Sequence, residues 1–159
     1  MPYTVEQLSD KLEITETLYR YATALDTRDR ELLRQVFLED AVFLIGAGVG
    51  RFDGVEAIGA VVIEFLGGLE ASQHIITNPV IELDGDTATS RCYLHAQHYM
   101  PDQRTGGNTL EIGGTYHDQL VRTPDGWRIR QRELEVTWTE GNHGIQVESR
   151  ARAAANAAT

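Results

Sequence analysis

The sequence predicts an α+β fold in which a curved antiparallel sheet packs on N-terminal helices and encloses a pocket. Helical periodicity dominates the chain up to Gly68, and four strand-like segments joined by turn signals follow from residue 74 onward. Helices that precede such a run of strands are typical of folds in which the helices lie on one face of an antiparallel sheet. A sheet that curls around helices leaves a concave, apolar space, and ligands commonly bind in such spaces.

The first helix is predicted to begin after Thr4. The Thr4 hydroxyl can cap the first turn while Gln7 reaches back to it, which is a capping-box pattern. Positions three and four residues apart form an apolar stripe that ends in a carboxylate: Leu8, Leu12, Thr15, Tyr19, Ala22 and Asp26. The stripe predicts that Asp26 faces the core. A helix that ends one turn earlier, with Asp26 as a cap for the next segment of the chain, is the alternative.

A short second helix, a strand and a third helix follow. Thr27 and Asp29 are the predicted caps of the second helix, which continues through Leu32, Leu33, Val36 and Phe37. A strand is predicted over residues 41–45, and the glycines at 46, 48, 50 and 54 indicate a hairpin or loop. The third helix is predicted over residues 55–66, with Ile58, Val62 and Phe65 on one side. Gly67 and Gly68 end it.

Four strands are predicted over residues 74–83, 88–99, 110–122 and 127–138. Turn signals join them at Asp84-Gly85-Asp86, Thr105-Gly106-Gly107-Asn108 and Pro124-Asp125-Gly126. Gly113 and Gly114 inside the third of these strands indicate a bulge or sharp curvature. In the last strand the apolar positions change parity near residues 130–132. This change also indicates a bulge, and bulges re-aim side chains near active sites.

The chain has 159 residues, of which 42% are hydrophobic and 24% charged, and this fits one domain. We predict a single domain over residues 1–145 and a flexible, Ala-rich tail over residues 146–159, because the tail lacks large apolar side chains. The formal net charge of −10 argues against a nucleic-acid partner, since phosphate contacts require clustered Lys and Arg.

Cysteine content and hydropathy indicate the compartment. A single cysteine excludes an intrachain disulfide and a Cys-based zinc site, and it favours a reducing, cytoplasmic environment. The polar N-terminus has no signal-peptide core, and no stretch approaches the ~20 apolar residues of a membrane span. We therefore expect no membrane partner.

Asp26 and His74 are polar residues at positions where the pattern calls for apolar ones, and such breaks often occur at functional sites. Burial of the Asp26 carboxylate is costly unless the carboxylate is paired or hydrogen-bonded. A carboxylate beside an imidazole fixes the tautomer of the ring, raises its basicity and stabilises the imidazolium. The two residues are therefore a candidate general base. A structural or solvated His74 is the alternative.

Arg132 and Tyr21 are the other two candidate catalytic residues. Arg132 falls on the apolar face of the last strand, where it needs an anion: either a structural carboxylate or a charge that develops on a substrate. Tyr21 lies about a turn and a half before Asp26, so both can border one cavity. A buried phenol there can donate a proton to a leaving oxygen, although amphipathic packing would also explain Tyr21.

Alternation in the strand over residues 88–99 places His95 and His98 on opposite faces. The face that carries Cys92, Leu94, Ala96 and His98 is the more apolar and is the predicted pocket wall. The predicted substrate-binding residues are Tyr19, Leu94, Ala96, His98 and Trp138.

Cofactor signals are missing from the sequence. It has no His-x-His or His-Glu-x-x-His spacing, so we predict no metal, and a site built from His74, His98 and a carboxylate is the open alternative. No Gly-x-Gly-x-x-Gly segment follows a strand and opens a helix. Nothing places a base or a helix N-terminus beside Cys92, so it is not a predicted nucleophile.

A resemblance to a known family is carried by four segments: LYRYATALDTRDRELLRQVFLEDAVF, FDGVEAIGAVV, SQHIITNPVIELDGDTATSRCYLHA and GGTYHDQLVRTPDGWRIRQRELEVTW. Over roughly residues 8–140 the chain resembles the SnoaL-like branch of the nuclear transport factor 2-like superfamily. Within that branch it is similar to scytalone dehydratase, bile acid 7α-dehydratase and lindane dehydrochlorinase. The resemblance implies a cone-shaped α+β barrel and a lyase that works without a cofactor through an Asp-His dyad.

The resemblance also implies roles for individual residues. Asp26 in the LD pair and His74 in the HxxTN segment match the dyad, and Tyr21 matches a tyrosine that precedes the aspartate in the bile acid enzyme. Arg132 matches an arginine proposed to stabilise the departing anion in the dehydrochlorinase. The second tyrosine of scytalone dehydratase has no assigned counterpart, and His98 is a candidate for its second histidine.

The function expected from these observations is a dehydratase-type lyase, which breaks a carbon–oxygen bond. Its substrate would be small, hydrophobic and hydroxylated or carbonyl-containing, of the steroid, terpenoid or aromatic polyketide class. Alternatives are an isomerase or polyketide cyclase with the same base, and a noncatalytic ligand-binding or accessory subunit. Family analogy implies a homo-oligomer, dimer or trimer, with the outer face of the sheet as the interface.

Overall fold

The computed structural model describes residues 2–46, 50–103 and 106–158. Two of the predicted turn residues, Gly48 and Thr105, lie outside the described residues. The α+β class is confirmed: helices pack on the concave face of a curved six-stranded sheet.

Helix α1 (Val5–Thr27) begins with the predicted capping box. The Thr4 hydroxyl accepts from the Gln7 backbone N–H at 3.1 Å, and the Gln7 side chain accepts from the Thr4 N–H at 3.0 Å. The predicted apolar stripe is wrong, because Leu8, Leu12 and Tyr19 are exposed. The residues that α1 buries are Asp10, Ile14, Thr17, Leu18, Tyr21, Ala22, Ala24 and Leu25.

Asp10 is a charged residue on the buried face of α1. Its carboxylate accepts from both terminal nitrogens of Arg122, at 2.6 and 2.8 Å, and from the Trp127 indole N–H at 3.1 Å. The hydrogen bonds from Arg122 hold the pKa of Asp10 below its ordinary value, against the opposing effect of burial. A charged residue therefore begins the buried face, where a pattern of apolar residues does not reveal it.

Helix α2 (Arg30–Arg34) is shorter than predicted. Asp29 caps it as expected, since its carboxylate accepts from the Leu32 N–H at 2.9 Å. Thr27 is not a cap, because its hydroxyl donates to the Thr23 carbonyl within α1. The helix ends before Val36 because the Val36 carbonyl accepts from the Ile129 N–H, and pairing with the sheet begins there.

The remaining elements follow in the predicted order. Strands β1 (Phe37–Ile45) and β2 (Gly50–Asp53) form an antiparallel pair, and α3 (Val55–Gly67) ends at Gly68. Four strands then form an antiparallel meander: β3 (Ala71–Asp84), β4 (Thr87–Tyr99), β5 (Thr109–Thr123) and β6 (Gly126–Gly141).

The sheet has the order β2-β1-β6-β5-β4-β3 and is not closed into a barrel. It is also not purely antiparallel, since β1 pairs with β6 in parallel. Side chains alternate between the two faces of a strand whichever way its neighbour runs, so the residue pattern of β1 could not reveal this direction.

Two bulges in β6 decide which side chains face the helices. The register skips Arg130 between the pairs of Gln119 and Leu120, which confirms the predicted change of parity. A second irregularity lies at Gly113 and Gly114, as predicted, and it leaves Thr137 without a partner in the register. The extra residue reverses the side of every residue after it. Trp138 therefore lies on the outer face, although Val136 lies on the inner face.

Strand β3 forms a free edge of the sheet, and α1 packs along it. The Lys11 ammonium donates to the Ile81 backbone carbonyl, and the Asp26 carboxylate accepts from the His74 backbone N–H at 2.9 Å. Both backbone groups belong to β3. Side chains of the helix thus occupy backbone hydrogen-bonding groups of the edge strand.

The tail, for which the composition predicts flexibility, contains a helix. Helix α4 (Ile145–Ala157) packs against α3, with Ile145 and Ser149 fully buried. Contact is close because Gly68 has no side chain: a Cβ atom there would lie 1.8 Å from the Ser149 carbonyl oxygen. Close backbone packing thus replaces the large apolar residues that the tail lacks. The domain boundary at residue 145 stays a prediction.

Among the helices of the described residues, none is long and apolar enough to cross a membrane.

Candidate active site

A cavity of about 150 Å³ lies between the helices and the concave face of the sheet. Its polar lining consists of Tyr21, His74, His98, Tyr116, Gln146 and Arg150. The rest is apolar: Leu25, Phe43, Ile45, Val61, Val62, Phe65, Leu66, Leu94, Ala96, Ile112, Leu134 and Val136. An apolar space with a few polar groups is the usual form of a small-molecule site.

Asp26 and His74 form the predicted pair in the wall of this cavity. The Nδ1 atom of His74 lies 2.7 Å from Oδ1 of Asp26. The same carboxylate accepts from the His74 backbone N–H at 2.9 Å and from the Ser72 hydroxyl at 3.0 Å. The side chain of His74 is 6% exposed and that of Asp26 is 26% exposed. Asp26 therefore fixes the position of both the ring and the backbone of His74.

The Asp26 carboxylate stays ionised in this setting. Burial raises its pKa, but the hydrogen bonds from the His74 ring and backbone and from Ser72 outweigh that effect, and the net pKa is lowered. An ionised Asp26 accepts the Nδ1–H of His74, which leaves Nε2 as the basic nitrogen of the ring.

His98 is a second, buried imidazole next to the first. The two rings meet edge to face, with centroids 5.6 Å apart, and Nδ1 of His98 lies 3.2 Å from the Leu110 carbonyl oxygen. Burial, reinforced by the nearby His74, lowers the pKa of His98 to about 4. His98 is thus neutral at pH 7 and donates Nδ1–H to the carbonyl.

Arg132 lies behind two phenol rings of the cavity. It is 0% exposed, and its guanidinium carbon lies 4.2 Å from the ring centroids of both Tyr21 and Tyr116. Asp118 binds it with both oxygens, at 2.7 and 2.8 Å, and the Ser90 hydroxyl donates to Asp118 at 3.1 Å. The sequence left open whether Arg132 pairs with a structural carboxylate or with a charge on a substrate. In the structure its partner is the Asp118 carboxylate.

Burial raises the pKa of Tyr21, and the positive charge of Arg132 partly opposes this. Burial likewise raises the pKa of Tyr116 well above the ordinary value. Both phenols are therefore protonated at pH 7 and are able to donate a hydrogen bond. Because Arg132 is not among the residues that line the cavity, it reaches a bound molecule only through these rings.

Most of the predicted site residues come together. Tyr21, His74, Leu94, Ala96 and His98 all line the cavity, and Asp26 binds His74 from behind. Tyr19 and Trp138 do not line it and are 47% and 46% exposed. The structure therefore does not bring these two predicted substrate contacts to the cavity. Tyr19 lies on the outward face of α1, and the bulge at Thr137 turns Trp138 outward.

Three polar lining residues were missed, although a signal existed for one of them. Tyr116 shares the inner face of β5 with Leu110 and Ile112, so alternation alone could have identified it. Gln146 and Arg150 lie in the segment that was predicted to be flexible, and they reach the cavity only because α4 docks on α3.

Cys92 and the side chains of metal-binding type are the remaining candidates for chemistry in this protein. Burial raises the pKa of the Cys92 thiol to about 11, so the thiolate that a nucleophile needs is not formed at pH 7. Within residues 2–46, 50–103 and 106–158, no group of three or more His, Cys, Asp or Glu side chains is placed to hold a metal ion.

Residues 6–133 match the model of the SnoaL-like domain family, which is most of the chain. The chain belongs to this family. The predicted resemblance to the SnoaL-like family is thereby confirmed.

Two sequence relatives of this SnoaL-like protein cover most of its length. An uncharacterized protein of Mycobacterium tuberculosis is 35% identical over 130 residues, or 81% of this chain and 86% of that protein. The terrestric acid biosynthesis cluster protein E of Penicillium crustosum is 30% identical over 143 residues, or 87% of this chain and 90% of that protein.

Solved structures share the fold. A protein of Kribbella flavida matches with a TM-score of 0.81 and 28% identity over 87% of this chain and 97% of its own. The hexachlorocyclohexane dehydrochlorinase LinA matches with a TM-score of 0.73 and 18% identity over 88% of this chain and 93% of its own. At that identity the LinA likeness concerns the fold alone. Proteins that share this fold thus include an enzyme.

Proposed function

We propose that this SnoaL-like protein is a lyase that removes a proton from a small apolar substrate and expels water or another leaving group without a cofactor. One observation carries the proposal: His74, bound by Asp26 at 2.7 Å, lies in the wall of an apolar cavity. A neutral imidazole whose Nδ1–H is held by a carboxylate presents Nε2 as a base.

Each member of the pair has a distinct role in this reaction. His74 takes the proton next to a carbonyl or similar activating group of the substrate, and the Asp26 carboxylate stabilises the imidazolium that forms. General acid–base help of this kind contributes about 10²–10⁴-fold to a rate. Asp26 also holds the ring in place through the His74 backbone, so the base keeps its orientation before substrate arrives.

Tyr21 supplies the proton for the leaving oxygen. Its raised pKa keeps the phenol protonated until an oxygen with developing negative charge comes near. Arg132, stacked on the Tyr21 ring, offsets the charge of the phenolate that remains. His74 gives up one proton through solvent as Tyr21 regains one, and the net change is loss of water from the substrate.

The cavity limits the size of the substrate. A cavity of about 150 Å³ lined by apolar side chains accommodates a molecule of roughly benzene size. Of the expected substrate classes, a single-ring aromatic compound fits this volume better than a four-ring steroid.

The test is turnover of hydroxylated one-ring ketones by the wild type and by the His74→Ala and Asp26→Asn variants. Mass spectrometry detects loss of water, and NMR of the product separates elimination from isomerisation at constant mass. We expect elimination by the wild type and none by either variant, with the fold intact by circular dichroism. Full activity of both variants on a confirmed substrate would overturn the proposed base. Binding without turnover of any compound would favour the noncatalytic alternative.

A further inference from the structure

Arg150 is a cation on the rim of an otherwise apolar cavity. It lines the cavity and is also exposed to solvent, which places it at the opening. Gln146 lies one helical turn earlier on α4 and lines the same cavity. These two side chains are the contribution of α4 to a space that α1, α3 and the sheet otherwise enclose.

The guanidinium of Arg150 has no ion-pair partner among the residues that the structure describes. Its contact there is with the Phe65 ring, whose centroid lies 5.8 Å from the guanidinium carbon. By comparison, Arg132 and Arg122 each bind a carboxylate through two nitrogens. Arg150 thus keeps its donors available at the opening of the site. A guanidinium in this state binds carboxylates through two parallel hydrogen bonds.

A line of ring contacts connects Arg150 to the base. The Phe65 ring lies 5.2 Å from the His98 ring, and the His98 ring lies 5.6 Å from the His74 ring, centroid to centroid. Arg150 and His74 are therefore at separate parts of one cavity, with an aromatic wall between them. A molecule bound to Arg150 by its acidic end can extend its apolar part along this wall toward His74.

The placement of Arg150 depends on a tight contact between backbones. Gly68 touches Ser149, the neighbour of Arg150, so closely that a Cβ atom on Gly68 would overlap the Ser149 carbonyl oxygen. Ser149 is fully buried. The position of α4 is thus set by packing on α3, and the arginine is held at the cavity by this contact.

We infer that the substrate carries a carboxylate and that Arg150 is the residue that selects for it. The inference rests on the proposed function for the assumption that the cavity receives a substrate. It names the substrate class more narrowly: a compound of about one ring with an acid group at the cavity mouth. In a chain with a net charge of −10, this cation also offsets the general repulsion of an anionic ligand.

The test is a binding measurement, so it does not depend on turnover. Benzoate and its neutral isostere benzamide are titrated into the wild type and into the Arg150→Gln variant, with calorimetry or ligand-observed NMR as the readout. We expect Arg150→Gln to weaken benzoate about fivefold or more, the range for a partly desolvated ion pair. Benzamide affinity is expected to stay within about twofold, since the amide offers no charge.

Arg152→Gln and Arg150→Lys are two further variants that test the position of the charge and the shape of the group that carries it. Arg152→Gln removes the same charge from an exposed position on the same helix and is expected to leave both affinities unchanged. Arg150→Lys keeps the charge without the planar fork, so it is expected to retain part of the preference for benzoate. Raising the salt concentration should weaken benzoate and leave benzamide unchanged.

The inference fails if wild type binds benzoate no better than benzamide, if neither probe binds, or if Arg150→Gln and Arg152→Gln have the same effect. Its failure is distinct from failure of the proposed function. Benzoate binding that requires Arg150, found together with full turnover by the His74→Ala variant, would keep the acid site and reject the base.

Discussion

Asp26 binds His74 at two points, the ring nitrogen Nδ1 at 2.7 Å and the backbone N–H at 2.9 Å. One carboxylate oxygen serves the ring and the other serves the main chain. The ring can therefore neither rotate away from Asp26 nor shift along β3 without the loss of a charge-assisted hydrogen bond.

Asp26→Asn should remove the base without removing the fold. The amide keeps the shape of the carboxylate but lacks the charge that stabilises an imidazolium, and its N–H₂ group favours the wrong tautomer of His74. We expect kcat to fall by about 10²–10⁴-fold. Steady-state kinetics on a substrate from the ketone panel measures this. Wild-type kcat in a folded variant would show that Asp26 does not act in the reaction.

Tyr21→Phe tests the proton donor separately from the base. The phenyl ring retains the stacking on Arg132, so we expect a folded protein whose kcat is lower by about 10²-fold. Tyr116→Phe is the matched control, because the Tyr116 ring centroid lies at the same 4.2 Å from the Arg132 guanidinium carbon. If both variants lose activity equally, the effect comes from the arginine environment and the donor is not Tyr21 alone.

Asp118→Asn should destabilise the fold strongly. Asp118 and Arg132 are both fully buried, and removal of one charge leaves the other unpaired in the interior, at a cost of about 3–5 kcal/mol. Urea denaturation gives the change in the free energy of unfolding. Asp53→Asn is the control, since its partner Arg51 lies in an exposed ion pair, and there we expect no measurable change.

The stability of the fold should fall as the pH drops from about 6.5 to 4. The pKa of His98 is about 4 in the folded chain, below its ordinary value of 6.5. Between these two pH values the unfolded chain is protonated at His98 and the folded chain is not. The contribution of neutral His98 to the free energy of unfolding is fully present above pH 6.5 and declines by roughly 3 kcal/mol toward pH 4.

His98→Gln replaces the titrating ring by a neutral side chain and should flatten this part of the stability profile. Unfolding experiments at a series of pH values compare the two proteins. A slope that is the same in both would mean that His98 is not protonated on unfolding in this range.

Gly68→Ala should loosen α4. The new methyl group would overlap the Ser149 carbonyl oxygen, and a forced shift of this kind costs about 1–3 kcal/mol. Gly67→Ala is the matched control, because its Cβ would lie 3.7 Å from the Ala153 Cβ, an ordinary contact. Hydrogen exchange over residues 145–157 should rise in the first variant and not in the second.

The sequence revealed the pair Asp26 and His74 but not the pair Asp118 and Arg132. The first two residues each interrupt an apolar pattern, which marks them individually. Asp118 also interrupts an apolar face, between Tyr116 and Leu120, but its partner follows only from the register, which places it directly opposite Arg132. Register depends on long-range pairing that the local pattern does not contain.

The wrong predictions have local causes that a residue pattern cannot express. Asp10 looks like a surface residue until Arg122 and Trp127 bind its carboxylate. The sequence carries two stripes with helical spacing, and α1 buries the one through Ile14, Leu18, Tyr21 and Leu25 rather than the one that includes Tyr19. One extra residue at Thr137 turned Trp138 outward. Arg150 was missed because the docking of α4 depends on the close approach that Gly68 allows, and residues 146–157 contribute no large buried apolar side chain.

The contacts between α1 and β3 have a consequence for association. The free edge of a sheet offers unpaired N–H and C=O groups to any other strand, and this is a common route to aggregation. Here Lys11 occupies the Ile81 carbonyl and Asp26 occupies the His74 N–H. The Asp26 carboxylate, which orients the candidate base, therefore also blocks part of the free edge of β3. A chain that loses it gives up a barrier to self-association together with its activity, so selection against aggregation would preserve Asp26 even where catalysis no longer does.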